Sequence, residues 1–153
     1  MLAHKFDDSR VDWSKPVYIQ PKLDGVRCLI KRVSDFPGQE QLASFSVKAY
    51  SRTGKEFKNI KHILENLKPF FFHNPDIVLD GELYNHELKD DFEKIISLVR
   101  KQKPTADDRL DAKNLVQFHV YDYFDGVIYD SYKTRMQQLV NSDVYNKDIK
   151  YVP

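Results

Sequence analysis

Lys22-Leu23-Asp24-Gly25-Val26-Arg27 places a lysine beside a turn-forming Asp-Gly pair and five positions before an arginine. A lysine amine is a nucleophile only in its neutral form, and a neighbouring cation such as Arg27, or a bound metal, lowers the amine pKa and favours that form. Residues rich in Val, Ile and Leu flank the hexapeptide on both sides, which predicts two β segments and a rigid position for Lys22. The hexapeptide is therefore a candidate for covalent chemistry at Lys22.

The same hexapeptide has a purely structural interpretation. Asp-Gly between two apolar runs is typical of a hairpin turn, and a lysine beside such a turn is usually a solvated surface group. The two interpretations are distinguished by whether residues elsewhere in the chain supply the rest of the chemistry.

Three further patches carry residues that fit such chemistry. They are Ser51-Arg52-Thr53-Gly54, Leu79-Asp80-Gly81-Glu82-Leu83 and Phe118-His119-Val120-Tyr121-Asp122. Together with the hexapeptide and the preceding Gln20-Pro21, they resemble, in order, the motifs of the covalent nucleotidyltransferases. Within that family the likeness is greater to the ATP-dependent DNA ligases than to the RNA ligases or the mRNA capping enzymes.

The resemblance implies a role for one residue in each patch. Lys22 would become covalently attached to AMP, and Arg52 would reach the nucleotide or a DNA phosphate. Glu82 would contact the ribose and help to hold a metal, and Tyr121 would stack on adenine. Gln20 stands where many DNA ligases carry a glutamate near the adenine. The cofactors implied are ATP and Mg²⁺.

The residue types also fit this reaction on chemical grounds. Joining a nucleotide α-phosphate to an amine requires a nucleophile, cations on the phosphates, a carboxylate for the metal or sugar, and a flat surface for the base. These needs are met, in that order, by Lys22, by Arg27 and Arg52, by Glu82 and by Tyr121. Three of them also have a structural alternative: Arg52 as the cap of a turn, Glu82 as a solvated strand residue, and Tyr121 as a core residue.

The bulk composition is that of a folded soluble domain. The chain has 153 residues, of which 41% are hydrophobic and 13% aromatic, enough for one domain with a core. Its 24 basic and 23 acidic residues nearly cancel, so any contact with nucleic acid must be a local patch. The single Cys28 excludes an internal disulfide and is expected to be a buried packing residue. No apolar run suits a membrane span or a signal peptide, so we expect an intracellular protein, in the cytoplasm of a bacterium or of a virus-infected cell.

The hydrophobic patterning predicts a mixture of strands and helices. Strands are expected near residues 16–22, 26–33, 45–51, 77–84 and 115–124, with a further one near 149–152. Apolar residues at helical spacing predict three helices, around residues 60–67, 92–99 and 132–140. Residues 34–43 and 101–113 are polar and are predicted to be loops. We therefore expect one α+β domain with mainly antiparallel sheets and flanking helices. The resemblance implies that this is the ATP-grasp-like nucleotidyltransferase core.

The resemblance stops before the end of the family pattern. In the family, a glutamate in an EG-type element and a KxK pair follow the strand that residues 149–152 resemble, and an oligonucleotide-binding barrel comes after them. We therefore expect residues 1–153 to be a partial adenylation domain that lacks the oligonucleotide-binding domain, with the missing half of the ligase as a partner.

Two classes of function remain at this stage. The first is an enzyme in which Lys22 takes AMP from ATP for sealing nicks in duplex DNA, with an RNA ligase or a capping guanylyltransferase as the alternative. The second is a nucleotide-binding fragment without turnover. Nicked duplex DNA and ATP are the expected partners, and no membrane is expected.

Overall fold

The computed structural model describes residues 6–38, 44–126, 131–142 and 144–153. In these ranges the chain forms one five-stranded sheet, made of β1 (Val26–Ser34), β2 (Phe45–Tyr50), β3 (Val78–Tyr84), β4 (Gln117–Phe124) and β5 (Ile149–Tyr151). The strand order is β2-β1-β3-β4-β5, and every pairing is antiparallel except that of β4 with β5. The predicted α+β class with a mainly antiparallel sheet is confirmed.

The helices flank this sheet. They are α1 (Lys61–His73), α2 (Phe92–Val99), α3 (Ala106–Leu115) and α4 (Tyr132–Val140), with short 3₁₀ turns at Asp8–Arg10 and His86–Leu88. The three helices predicted from apolar spacing correspond to α1, α2 and α4. The buried positions of α1, Ile63, Leu67 and Phe71, follow the helical repeat that the sequence displays.

The prediction of a loop over residues 101–113 was wrong, because α3 occupies most of it. A capping box starts this helix: the Thr105 side chain accepts from the N–H of Asp108, and the Asp108 carboxylate accepts from the N–H of Thr105. Only Ala112 of α3 is buried, so the helix shows no apolar stripe in the sequence. Its signal was the Thr-x-x-Asp spacing rather than its hydrophobicity.

The prediction of a strand over residues 16–22 was also wrong. This segment has no strand assignment, and β1 begins only at Val26. Several of its apolar side chains remain exposed, Ile19 to 84%. The Asp24-Gly25 pair therefore leads from an irregular segment into β1 and does not join two strands of a hairpin.

The sheet has one buried face and one open face. Successive side chains of a strand point to opposite faces. Cys28 and Ile30 of β1 are fully buried with the side chains of α1, whereas Arg27 and Leu29 point to the opposite, open face. Cys28 is thus the packing residue that the sequence predicts, and burial raises the pKa of its thiol well above the usual range.

Gly81 allows β3 and β4 to approach closely at a register shift between Asp80 and Gly81. A Cβ at Gly81 would overlap the backbone oxygen of His119 and lie 2.7 Å from the Phe118 ring. The bulge leaves Tyr121 without a ladder partner and shifts the facing of side chains along β4, where Phe118, Val120 and then Tyr123 are buried. No helix in the described part of the chain is long and apolar enough to cross a membrane.

Candidate functional site

A cleft of about 1250 Å³ lies on the open face of the sheet. Its walls include the segment before β1, the middle of β1 and β3, the end of β4, the start of α2 and one side of α4. Five of the six residues singled out from the sequence line it: Gln20, Lys22, Arg27, Glu82 and Tyr121. The fold therefore brings together residues that are up to 101 positions apart in the chain.

Arg52 is the exception among the predicted site residues. It is exposed in the turn after β2 and is not among the residues that line the cleft. The turn is closed by hydrogen bonds from the N–H groups of Gly54 and Lys55 to Ser51. Gly54 has a φ of +85°, which explains the glycine at this position.

Lys22 makes an ion pair with Asp24 at the mouth of the cleft. Its Nζ lies 2.7 Å from Asp24 Oδ1, and its side chain is 88% exposed. The hydrogen bond to Asp24 raises the pKa of Lys22 above its usual value. The expectation that Arg27 lowers this pKa is therefore wrong, because Asp24 is the nearer charge and Arg27 is paired with Asp80.

The segment that carries Lys22 is held by side chains instead of a β ladder. The Gln20 amide donates to the backbone oxygen of Tyr121 at 3.2 Å and to that of Val152 at 3.1 Å. The N–H of Leu23 donates to the Tyr121 hydroxyl at 3.1 Å. Gln20 and Tyr121 thus fasten the residues on both sides of Lys22 to β4 and to the end of β5.

Gly25 allows the turn after Lys22 to lie against β3. A Cβ on Gly25 would come within 2.5 Å of both the Leu83 backbone oxygen and Glu82 Cγ. The N–H of Gly25 lies near enough to the Glu82 carboxyl to lower its pKa against the effect of burial. Glycine is required here for close approach and not for an unusual φ.

Arg27 and Asp80 form a bidentate ion pair on the cleft floor. Arg27 Nε donates to Asp80 Oδ1 at 2.6 Å, and Arg27 Nη2 donates to Oδ2. The two side chains are diagonal neighbours, because Arg27 is opposite Glu82 in the ladder and Leu29 is opposite Asp80. The sequence shows Asp80 within a motif, but its pairing with Arg27 depends on the strand register.

Glu82 is buried at the cleft wall, with a residue exposure of 8%. Burial raises the pKa of its carboxyl to about 7, although Arg27, the N–H of Gly25 and Lys22 all act to lower it. The solvated-strand alternative is thus wrong for Glu82. Its carboxyl can change protonation state near neutral pH, and a cation bound beside it would favour the ionised form.

Asp122 and Arg135 are cleft residues to which the sequence reasoning gave no role. Arg135 donates through Nε and Nη2 to the two carboxylate oxygens of Asp122, each at 2.8 Å. The pair attaches α4 to the end of β4, and the Tyr132 ring lies beneath the Arg135 guanidinium, 6.0 Å from centroid to Cζ. Asp122 adjoins Tyr121 in the motif, but no local pattern identifies Arg135.

The cleft combines two amines, two guanidinium groups, a buried carboxyl and a half-buried phenol ring. The described residues contain no group of three metal-ligating side chains. Mg²⁺ commonly uses one or two carboxylates together with substrate phosphates and water. Glu82 fits this mode of binding, because Asp80 and Asp24 already accept from Arg27 and Lys22.

One comparison with known proteins shows the family of this chain, and another shows its fold. A family model described as "ATP dependent DNA ligase domain" matches residues 1–151. The solved structures titled "Pmar-Lig_PreS3" and "Pmar-Lig_Pre." are each 23% identical, with TM-scores of 0.60 and 0.58, and show the fold. Each match covers 88% of this chain and 29% of the other, so this chain spans under a third of their length. A comparison with curated proteins finds no match.

Proposed function

Since the chain belongs to the family of ATP-dependent DNA ligase domains, we propose that it is part of an adenylation domain in which Lys22 accepts AMP from ATP. The observation that carries the proposal is the convergence of Lys22, Arg27, Glu82 and Tyr121 on one cleft. In the complete ligase the AMP would then pass to the 5′-phosphate at a nick in duplex DNA, and the 3′-hydroxyl would displace it.

The proposed first step is a displacement at phosphorus. The Lys22 ammonium loses one proton to solvent, and its neutral Nζ attacks the α-phosphorus of ATP to form a P–N bond, after which the nitrogen loses a second proton to solvent. The bond from the α-phosphorus to the oxygen that bridges it to the β-phosphorus breaks, and pyrophosphate leaves with that electron pair. Because Lys22 is ion-paired with Asp24, the bound nucleotide must separate the two or offset the raised pKa.

The other cleft residues would bind the nucleotide. The Arg27 guanidinium, held in place by Asp80, would stabilise negative charge on the phosphates. Glu82 would contact the ribose and hold Mg²⁺ together with phosphate oxygens, and the metal would neutralise phosphate charge. Tyr121 would stack on the base. Arg52, outside the cleft, would contact a DNA phosphate.

Gln20 supports the choice of adenine. Its amide nitrogen donates to two backbone carbonyls, so its Oε1 is left as an acceptor. An acceptor suits the N6 amino group of adenine and opposes the O6 of guanine, which is itself an acceptor. We therefore propose ATP, and not GTP, as the nucleotide.

The test is intact-protein mass spectrometry after incubation with ATP and Mg²⁺. An acid-labile AMP adduct should form on the unchanged chain and be lost in Lys22→Ala. Lys15→Ala is the matched control, because Lys15 is also an exposed lysine paired with an aspartate, Asp12, at 3.0 Å. An adduct that persists in Lys22→Ala would refute the assignment of the nucleophile.

A second candidate is a nucleotide-binding domain without turnover, in which the hydrogen bond to Asp24, which raises the pKa of Lys22, opposes formation of the neutral amine. Calorimetric ATP binding without any adduct would support this candidate. For an adduct-forming chain, a panel of nicked DNA, nicked RNA and GTP distinguishes a DNA ligase from an RNA ligase or a capping enzyme.

A further inference from the structure

The open face of the sheet continues beyond the cleft as a basic surface. Lys31 of β1 and Lys48 of β2 are directly opposite each other in the antiparallel ladder. They lie on the same face as Leu29, which lines the cleft, and as its ladder partner Tyr50. Lys31 Nζ is 5.5 Å from the centroid of the Tyr50 ring.

This placement is unfavourable for the isolated fold. Directly opposed residues of an antiparallel pair have Cβ atoms only about 5 Å apart, and like charges there destabilise the sheet. Among the described residues, neither Lys31 nor Lys48 has a carboxylate oxygen within 4.0 Å of its ammonium group. Lys31 makes a cation–π contact with Tyr50, which does not neutralise its positive charge.

The carboxylate of Asp35, which lies toward the same end of the sheet, is engaged with other groups. It accepts from the hydroxyls of Ser44 and Ser46 at 2.6 and 2.5 Å. These two hydrogen bonds are the main cause of its lowered pKa, and Lys48 adds a weaker effect through space. The pair Lys31 and Lys48 thus presents positive charge that no described carboxylate approaches within 4.0 Å, on an open surface where Glu56, the bridge partner of Tyr50, is the acidic neighbour. Such a surface is complementary to a polyanion.

We propose that Lys31, Lys48 and Tyr50 bind the sugar-phosphate backbone of duplex DNA along a track that leads away from the nucleotide cleft. The inference rests on the proposed function, which places the reacting DNA end at the cleft. Lysines that contact phosphates contribute affinity and orientation, without reading the base sequence. The track supplies the local basic patch that the nearly neutral composition requires for DNA contact.

The dimensions fit a run of phosphates. Lys31 is four residues from Arg27 on β1, which corresponds to roughly 13 Å along the strand. Four base pairs of one DNA strand extend over a similar distance along the helix axis, at about 3.4 Å each. Lys31 is opposite Val78 of β3, which lines the cleft, and Lys48 is its partner on β2, so the two lysines lead from the edge of the cleft toward the outer strand of the sheet.

The test is the salt dependence of duplex binding, measured by fluorescence anisotropy with a nicked duplex between about 50 and 200 mM salt. Lys31→Gln combined with Lys48→Gln should weaken binding and reduce the slope of log K against log salt by about 2, because each lysine that binds a phosphate contributes about 1 to the slope. Lys113→Gln, on exposed α3, is the control and should leave the slope unchanged.

Lys48→Glu separates binding from folding. It places opposite charges across the ladder, so its Tm should not fall below that of the unchanged chain, whereas its affinity for the duplex should fall further than in Lys48→Gln. A salt slope that is unchanged in the double variant would overturn the proposal. So would an equal loss in Lys113→Gln, or the absence of duplex binding by the unchanged chain.

The AMP adduct, measured on the same proteins without DNA, reports separately on the proposed function. Loss of the adduct with normal duplex binding would contradict adenylation and leave the DNA track supported. An adduct together with a salt slope that the two lysines do not affect would contradict the track alone.

Discussion

The Tyr121 hydroxyl accepts a hydrogen bond at 3.1 Å from the backbone N–H of Leu23, the residue directly after Lys22. This bond connects β4 to a segment that no strand ladder holds. Tyr121 thus has a positioning role in addition to the base-stacking role proposed for its ring. The hydroxyl and the ring can be tested separately.

Tyr121→Phe keeps the ring and removes the acceptor for Leu23. We expect a loss of about 0.5 to 1.5 kcal/mol in the free energy of unfolding, and slower formation of the AMP adduct because Lys22 is held less firmly. Urea unfolding and the rate of adduct formation measure the two effects. Tyr84→Phe, which removes a hydroxyl bonded to His86 outside the cleft, is the control. Equal adduct rates in the two variants would contradict the positioning role.

Asp80→Asn leaves the Arg27 guanidinium without its bidentate partner. The pair is partly buried, with side-chain exposures of 36% and 19%, so we expect a loss of about 1 to 3 kcal/mol, between the values for surface and buried pairs. Urea unfolding measures it. Asp24→Asn breaks an exposed ion pair and should leave the unfolding midpoint unchanged. If both substitutions have the same small effect, the Arg27 pair does not contribute to the stability of the cleft.

Gln20→Glu replaces an amide donor by a carboxylate that faces the backbone oxygens of Tyr121 and Val152. Both hydrogen bonds are lost and acceptors oppose one another, so stability should fall by roughly 1 to 3 kcal/mol. Adduct formation with ATP should fall as well. Thermal unfolding and mass spectrometry measure the two. Gln137→Glu makes the same change at an exposed position of α4 and should have little effect on either.

Glu82 makes stability depend on pH. Burial raises its pKa to about 7, from 4.5 for an ordinary glutamate, so the folded chain binds the proton more tightly than the unfolded chain does. The contribution of Glu82 to the free energy of unfolding is therefore most favourable below about pH 4.5. It falls as the pH rises toward 7 and is constant at higher pH. The full shift corresponds to roughly 3 kcal/mol, which the solvent in the open cleft reduces to about 1 to 2.

Glu82→Gln should remove this loss of stability with rising pH. Its free energy of unfolding, measured by urea titration from about pH 4.5 to 8, should vary less with pH than that of the unchanged chain. Glu93→Gln, at an exposed position of α2, controls for the loss of one carboxylate. Identical pH profiles for the unchanged chain and Glu82→Gln would mean that Glu82 titrates normally.

The sequence alone was sufficient to predict most of the elements and five of the residues that line the cleft. Apolar periodicity predicted the strands β1 to β4 and the helices α1, α2 and α4, because an element that is buried on one face carries apolar residues at its own structural period. Gln20, Lys22, Arg27, Glu82 and Tyr121, singled out from their motifs, line one cleft. The apolar periodicity of α3 is weak, since a single residue of that helix is buried.

Only the tertiary structure decided which groups are partners. Asp24 binds Lys22, Asp80 binds Arg27 and Arg135 binds Asp122, and the last two pairs join residues on different elements. The apolar residues of 16–22 have the composition of a strand, yet they are exposed. The segment that leads to Leu23 is held by the side chains of Gln20 and Tyr121. Periodicity reports which side of an element is buried, whereas hydrogen bonds and pKa shifts depend on strand register and on distances through space.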